Sequence, residues 1–167
     1  MNSKKTLELK IIDFGLSYQW KNTMRTELIA EKKNKLIGTS YYIAPEVLQL
    51  DYDERCDIWS AGVMLYILVT AAPPFDGEND RQIMENVKKM KFSFDSKDDL
   101  ISVPEAKHLT EEVKDLIKRI LTPAETRITI EEIMNHPWMT KQLPLSTLQL
   151  DFKRLRNFSN FSKVVIY

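Results

Sequence analysis

The stretch that decides the fold is Gly38-Thr39-Ser40-Tyr41-Tyr42-Ile43-Ala44-Pro45-Glu46-Val47-Leu48. Small polar residues and two tyrosines lead into a proline, and the proline opens a short helix at 45–48. Proline suits a first helical position because its φ is preset and the N–H it lacks would be unpaired there. Downstream, 56–71 is apolar nearly all round, and a helix with no wet face belongs in the middle of a lobe. The longest apolar run, 58–72, is broken by Ser60, Gly62 and Thr70. A membrane span needs roughly 20 apolar residues, so this run reads as a buried helix that Pro73-Pro74 ends.

Further along, 80–90 places Ile83, Met84 and Val87 on one stripe and predicts a surface helix, followed by a loop through Pro104. Thr110 opens another helix, with Glu111 and Glu112 in its first turn and Val113, Leu116, Ile117, Ile120 and Leu121 facing a core. Thr129 and Glu132 have capping-box spacing ahead of Ile133 and Met134, and this last helix ends near His136-Pro137-Trp138. Beyond it, Lys141, Lys153, Arg154, Arg156 and Lys163 stand against the single acid Asp151, interleaved with Leu148, Leu150, Phe152, Leu155, Phe158 and Phe161. That is a basic amphipathic tail.

Upstream of the deciding stretch, 16–37 is polar and without period, the pattern of a long loop. It is preceded by Asp13-Phe14-Gly15 and, at 7–12, by Leu-Glu-Leu-Lys-Ile-Ile, whose early alternation predicts a short half-buried strand. Ser17, Thr23, Thr26 and Thr39 offer hydroxyls, as any polar loop does, and none is assigned as a modification site.

The 167 residues fit one domain, and 43% hydrophobic with 29% charged residues marks a folded globular chain. With 24 basic against 24 acidic residues there is no net field toward nucleic acid or anionic lipid. Cys56 is the only cysteine, so an intrachain disulfide is excluded and a reducing, cytoplasmic location is expected. The N-terminus has no apolar segment of a secretory signal. His108 and His136 lack partners at metal-site spacing, and Met64, Met84 and Met134 read as core fillers.

The order of elements carries more than any one of them. Asp13-Phe14-Gly15, then the loop, then Ala44-Pro45-Glu46, Asp57-Ile58-Trp59-Ser60-Ala61-Gly62, Pro73-Pro74-Phe75, Arg127 and His136-Pro137-Trp138 follow in register over 7–139. In this the sequence resembles the protein kinase family. Gly38 to Leu48 and Phe152 to Lys163 look like the calcium-dependent protein kinases of plants and protists, a pattern much shared with calmodulin-dependent kinases. The resemblance implies a mainly α fold, the C-terminal kinase lobe, with a short strand near Asp13-Phe14-Gly15. It implies residues 1–139 as a partial kinase domain and 140–167 as a junction or autoinhibitory-like tail, its 148–163 part captured by a calcium sensor, either calmodulin or an EF-hand domain.

Site roles follow from the same resemblance. Asp13 is expected to ligate Mg2+ on ATP, with Phe14 and Gly15 shaping the backbone around it. Thr39 faces the substrate hydroxyl; Ser40, Tyr41 and Tyr42 form the pocket for the residue after a Ser or Thr acceptor. Glu46 and Arg127 make a buried ion pair, and Asp57 and Trp59 are structural, Asp57 steadying the catalytic-loop backbone. Read without the resemblance, Thr39 is a turn hydroxyl and Asp57 a helix N-cap.

Several family parts are missing from the sequence. No glycine precedes Gly15, so there is no Gly-rich phosphate loop, and neither the strand Lys paired with a helix Glu nor a His-Arg-Asp loop with its catalytic Asp stands before Asp13. The Asp common just before Arg127 is absent, and 16–37 is longer than usual for the subfamily. The expectation is a truncated part of a calcium-regulated Ser/Thr kinase, inactive alone and exposing apolar surface through which it forms a homodimer. The alternatives are a non-catalytic docking or regulatory module, and a calcium-sensor ligand residing in the tail.

Overall fold

The computed structural model describes residues 10–12, 14, 17, 40–94 and 109–141. The chain divides into two units, Met1–Lys35 and Leu36–Tyr167. In the first, residues 10–12 are irregular and exposed, so the described end of the stretch expected as a strand has no strand structure; residues 7–9 lie outside the described residues. Ser17 closes a turn there, its N–H and Oγ both donating to the Phe14 carbonyl at 3.0 and 2.7 Å.

Every regular element described in the second unit is helical. A 3-10 turn, Ser40–Tyr42, leads into α1 (Pro45–Leu48), followed by α2 (Arg55–Thr70), α3 (Asp80–Lys89), α4 (Glu111–Ile120), α5 (Ile130–Met134) and α6 (Pro137–Thr140). Among the described residues no helix is long and apolar enough to cross a membrane.

α2 is the centre of this unit. Trp59, Gly62, Val63, Tyr66, Ile67, Val69 and Thr70 are buried along it. Gly62 is where α2 crosses α4: a Cβ there would sit 2.2 Å from Ile120 Cγ2. Trp59 stacks on Phe75 with centroids 5.6 Å apart. Phe92 then meets Phe75, Tyr66 and Phe94 edge to face, and Phe94 lies tilted against Tyr66. Such pairs contribute about 0.5–1.5 kcal/mol each beyond their area.

Contrary to the sequence expectation, α2 has an open face. Asp57, Ala61, Met64 and Leu68 form one exposed stripe, and Met64 is 50% exposed. Apolar composition shows that a face can be buried, not that the chain supplies something to bury it. Met64 and Met134 are therefore not core fillers, and Met84 is only half-buried.

The remaining helices follow their caps and stripes. Asn79 caps α3, whose Ile83 and Val87 are buried. Thr110 caps α4 by accepting from the Val113 N–H, and Val113, Leu116, Ile117 and Ile120 face inward. Thr129 and Glu132 form the reciprocal capping box at the start of α5. His136 caps α6, its Nδ1 accepting the Trp138 N–H at 3.2 Å while its Nε2 meets Asp115 Oδ2 at 3.0 Å. Asp115 belongs to a polar edge of α4 that also pairs Glu112 with Lys141 and Arg119 with Glu132, holding α5 and α6 against the base.

Candidate functional site

The turn Ser40–Tyr42 is tied down at every residue. Ser40 is buried, and its Oγ donates to Asp80 Oδ1 at 2.6 Å, in the first turn of α3. The Tyr41 hydroxyl donates to Asp76 Oδ1 at 3.1 Å, the oxygen that also accepts the Gly77 N–H at 2.8 Å. Burial, then the Asp76 charge, push the Tyr41 hydroxyl up to about 12, so it stays a donor. Burial also raises Tyr42, whose carbonyl accepts from Ser60 Oγ of α2 at 2.9 Å. The loop is thus fixed between α2 and the 76–80 corner.

Beneath it, Glu46 and Arg127 meet in a two-pronged ion pair. Arg127 Nη1 lies 2.5 Å from Glu46 Oε1, and Nη2 lies 3.0 Å from Oε2. The guanidinium also donates to the carbonyls of Arg55 at 2.7 Å and Thr122 at 2.9 Å, and lies 5.1 Å from the Trp59 ring centre. With the Arg127 side chain 0% exposed and that of Glu46 10% exposed, both charges have left water, and the fork geometry compensates their desolvation. Among the described residues, Trp59 Nε1 is the buried side-chain polar atom without an acceptor. Arg55 adds a second brace, doubly hydrogen-bonded to Asp53 and donating to the Ala124 carbonyl at 2.7 Å.

The structure brings Ser40, Tyr41, Tyr42, Glu46, Trp59 and Arg127 into this one assembly. Asp13, Gly15 and Thr39 lie outside the described residues, as does the tail at 148–163; Phe14 is 67% exposed in the other unit. Asp57 is an exposed residue in the first turn of α2 and does not cap it; the N-cap position is Glu54. The Asp57 N–H donates to the Glu54 carbonyl at 3.1 Å, and its Oδ1 lies 3.9 Å from Cys56 Sγ. Burial first, then Asp57, Glu46 and Asp53, push the Cys56 thiol up to about 12.

Sequence reasoning missed Asp76, Asp80 and Ser60. An Asp in a first helical turn reads as a dipole partner, and nothing local ties it to a residue forty positions upstream. Ser60 had a local signal, since a helical serine returns its hydroxyl to the i−4 carbonyl, here Cys56 at 3.2 Å; the second acceptor, Tyr42, is tertiary.

A helical lobe that clamps an Ala-Pro-Glu turn onto a buried arginine has the fold of a protein kinase. The chain belongs to the protein kinase family, whose protein kinase domain matches residues 1–139. It is 37% identical over 170 residues to calcium-dependent protein kinase 4 of Plasmodium falciparum, covering 97% of this chain and 30% of that protein. With calcium-dependent protein kinase 3 of Plasmodium berghei it shares 42% over 157 residues, 92% of this chain and 26% of the other. The solved twitchin kinase fragment of C. elegans, an autoregulated protein kinase with immunoglobulin domains, aligns with a TM-score of 0.65 and 32% identity over 75% of this chain and 27% of that one. The chain thus spans less than a third of the length of these relatives.

Proposed function

We propose that this chain is the peptide-docking and regulatory part of a calcium-regulated Ser/Thr protein kinase, which transfers the γ-phosphate of ATP to Ser or Thr of protein substrates. The observation that carries the reading is the anchoring of the Ser40–Tyr42 turn by Asp80, Asp76 and Ser60 above the Glu46–Arg127 pair. A peptide-docking surface needs a loop whose position is set before substrate arrives, because ordering it on binding would consume binding energy. Here side chains of two helices and a corner set it.

In this reading Ser40, Tyr41 and Tyr42 receive the residue after the acceptor, Thr39 faces the acceptor hydroxyl, and Asp57 steadies the catalytic-loop backbone. Mg2+ with ATP supplies the phosphoryl group and offsets its charge, and the family assigns the metal to Asp13. Asp13 lies outside the described residues, and those described gather no group of three His, Cys, Asp or Glu side chains that could hold a metal. The sequence carries no His-Arg-Asp loop, so this chain binds and positions without transferring phosphate. The calcium dependence named in the relatives supports the regulatory half of this reading, in which a calcium sensor, calmodulin or an EF-hand domain, captures the tail at 148–163 and the protein works in the cytoplasm. The open α2 stripe with Met64 and Leu68 supports self-association into a homodimer, read by light scattering against concentration.

The test is transfer of labelled phosphate from ATP to Ser, Thr and Tyr peptides by this chain and by a longer one carrying the upstream sequence, each with calcium or a chelator. The expected result is an inactive short chain and a longer chain active on Ser and Thr only with calcium. A longer chain inactive with Mg-ATP leaves a non-catalytic docking module; activity insensitive to calcium overturns the regulatory half.

A further inference from the structure

Between the end of α3 and α4 lies a cavity of about 590 Å³, lined by Met90, Lys91, Phe92, Ser93, Phe94, Glu111, Lys114 and Lys118. Its volume is within the range of small-ligand and peptide side-chain sites, about 300–1,000 Å³. Three lysines against one glutamate give the lining a net positive charge. Lys114 is spoken for by Glu111, at 2.9 Å, with its side chain only 18% exposed. Among the described residues Lys91 and Lys118 have no carboxylate partner; Lys118 Nζ instead lies 5.9 Å from the Phe94 ring centre. The aromatic wall is rigid, since Phe92 and Phe94 pack on each other and on Tyr66, whose hydroxyl donates to the Ser93 carbonyl at 2.7 Å.

From this geometry we infer that the cavity is a docking site for an acidic peptide of a protein partner, one that presents carboxylates beside an aromatic or aliphatic side chain. Ammonium groups without a carboxylate partner among the described residues, beside an aromatic wall, match that pairing of charge and apolar body. The basic tail of this chain is the wrong sign to occupy it. A nucleic-acid backbone is a poor fit, because binding through phosphates draws on a row of some 6–10 contacts and this cavity offers two cations without a carboxylate partner among the described residues. A bilayer is poorer still, since holding an anionic surface draws on a cluster of roughly 4–8 Lys or Arg and this lining has three lysines, one of them paired with Glu111. The inference does not depend on catalysis and stands or falls separately from the kinase reading.

The experiment titrates the full chain with a fluorescent Glu-Glu-Asp-Phe-Glu peptide, its Gln-Gln-Asn-Phe-Gln counterpart, and phenyl phosphate. The expected result is saturable binding of the acidic peptide, weakened about tenfold or more by the double variant Lys91→Gln/Lys118→Gln, with little binding of the neutral peptide. These lysines are exposed, so the variants keep the fold, which an unchanged Tm checks. Absence of binding overturns the inference. So does an equal loss with Lys88→Gln/Lys89→Gln outside the cavity, which reads bulk charge, and so does phenyl phosphate binding as tightly as the peptide, which reads a small-anion site.

Discussion

Arg127 reaches across 81 positions of sequence to hold both carboxylate oxygens of Glu46, and in doing so it joins the helical base to the turn proposed to dock peptide. The pair is buried, its spare donors are taken by two backbone carbonyls, and its charge lies over Trp59. That arrangement fixes where α1 ends relative to α2, more than it adds net stability.

Removing one partner strands the other charge in the interior. Glu46→Gln or Arg127→Met should each lower unfolding free energy by about 3–5 kcal/mol, measured by urea denaturation. Glu46→Leu with Arg127→Met should lose less than the sum of the two, because no charge is left unpaired. A single variant within about 1 kcal/mol of wild type would place the pair in water, against its burial.

The α2–α4 crossing gives a second test. Gly62→Ala would set its methyl against Ile120 Cγ2, a contact that cannot exist without displacement, and overpacking of this sort costs about 1–3 kcal/mol. Ile120→Ala removes the obstructing atom, so in Gly62→Ala/Ile120→Ala the glycine substitution should cost less than it does alone. Equal cost in both backgrounds would mean the helices do not cross at Gly62.

Ala71 ends α2 in the left-handed region, φ 55°, where its Cβ is strained and glycine is not. Ala71→Gly should therefore stabilise the chain by about 0.5–1 kcal/mol, seen as a higher urea midpoint with unchanged slope. Destabilisation would show that unfolded-chain entropy outweighs the strain.

Much of this was readable in the sequence wherever the signal was local. The capping box at Thr129 and Glu132, the Thr110 cap, the inward stripe from Val113 to Ile120 and the Pro45 helix start each depend on spacings of a few residues. The assembly of the site was legible only through the ordered family motifs, which paired Glu46 with Arg127 in advance. Asp76 and Asp80 were not legible, since their partners lie on another segment and no period links them. The open face of α2 was misread because Ala61, Met64 and Leu68 are as apolar as the residues they alternate with.

Cys56 should be unreactive in the folded chain. Its thiol is held near 12 against an ordinary 9, by burial and by three carboxylates, so at pH 8.5 almost none is thiolate, the nucleophilic form. Alkylation by iodoacetamide should run on the order of a hundredfold slower than in urea. Equal rates folded and unfolded would contradict the burial of this side of α2.

The Glu112–Lys141 pair predicts a pH signature at the entrance to the tail. The Lys141 ammonium, then Glu112's own backbone N–H, lower the Glu112 carboxyl from 4.5 to about 2. A depressed carboxyl stabilises the fold fully above its ordinary value, and that contribution is lost as pH falls from about 4.5 toward 2. Lys141→Met should accordingly lower Tm relative to wild type at pH 6, and the gap should close by pH 2. Because the pair is at the surface, 1 M salt should also narrow it at pH 6. A gap that persisted unchanged at pH 2 would assign the loss to packing of the lysine stem over α4, and the ion pair would then have no part in setting how the chain leaves α6.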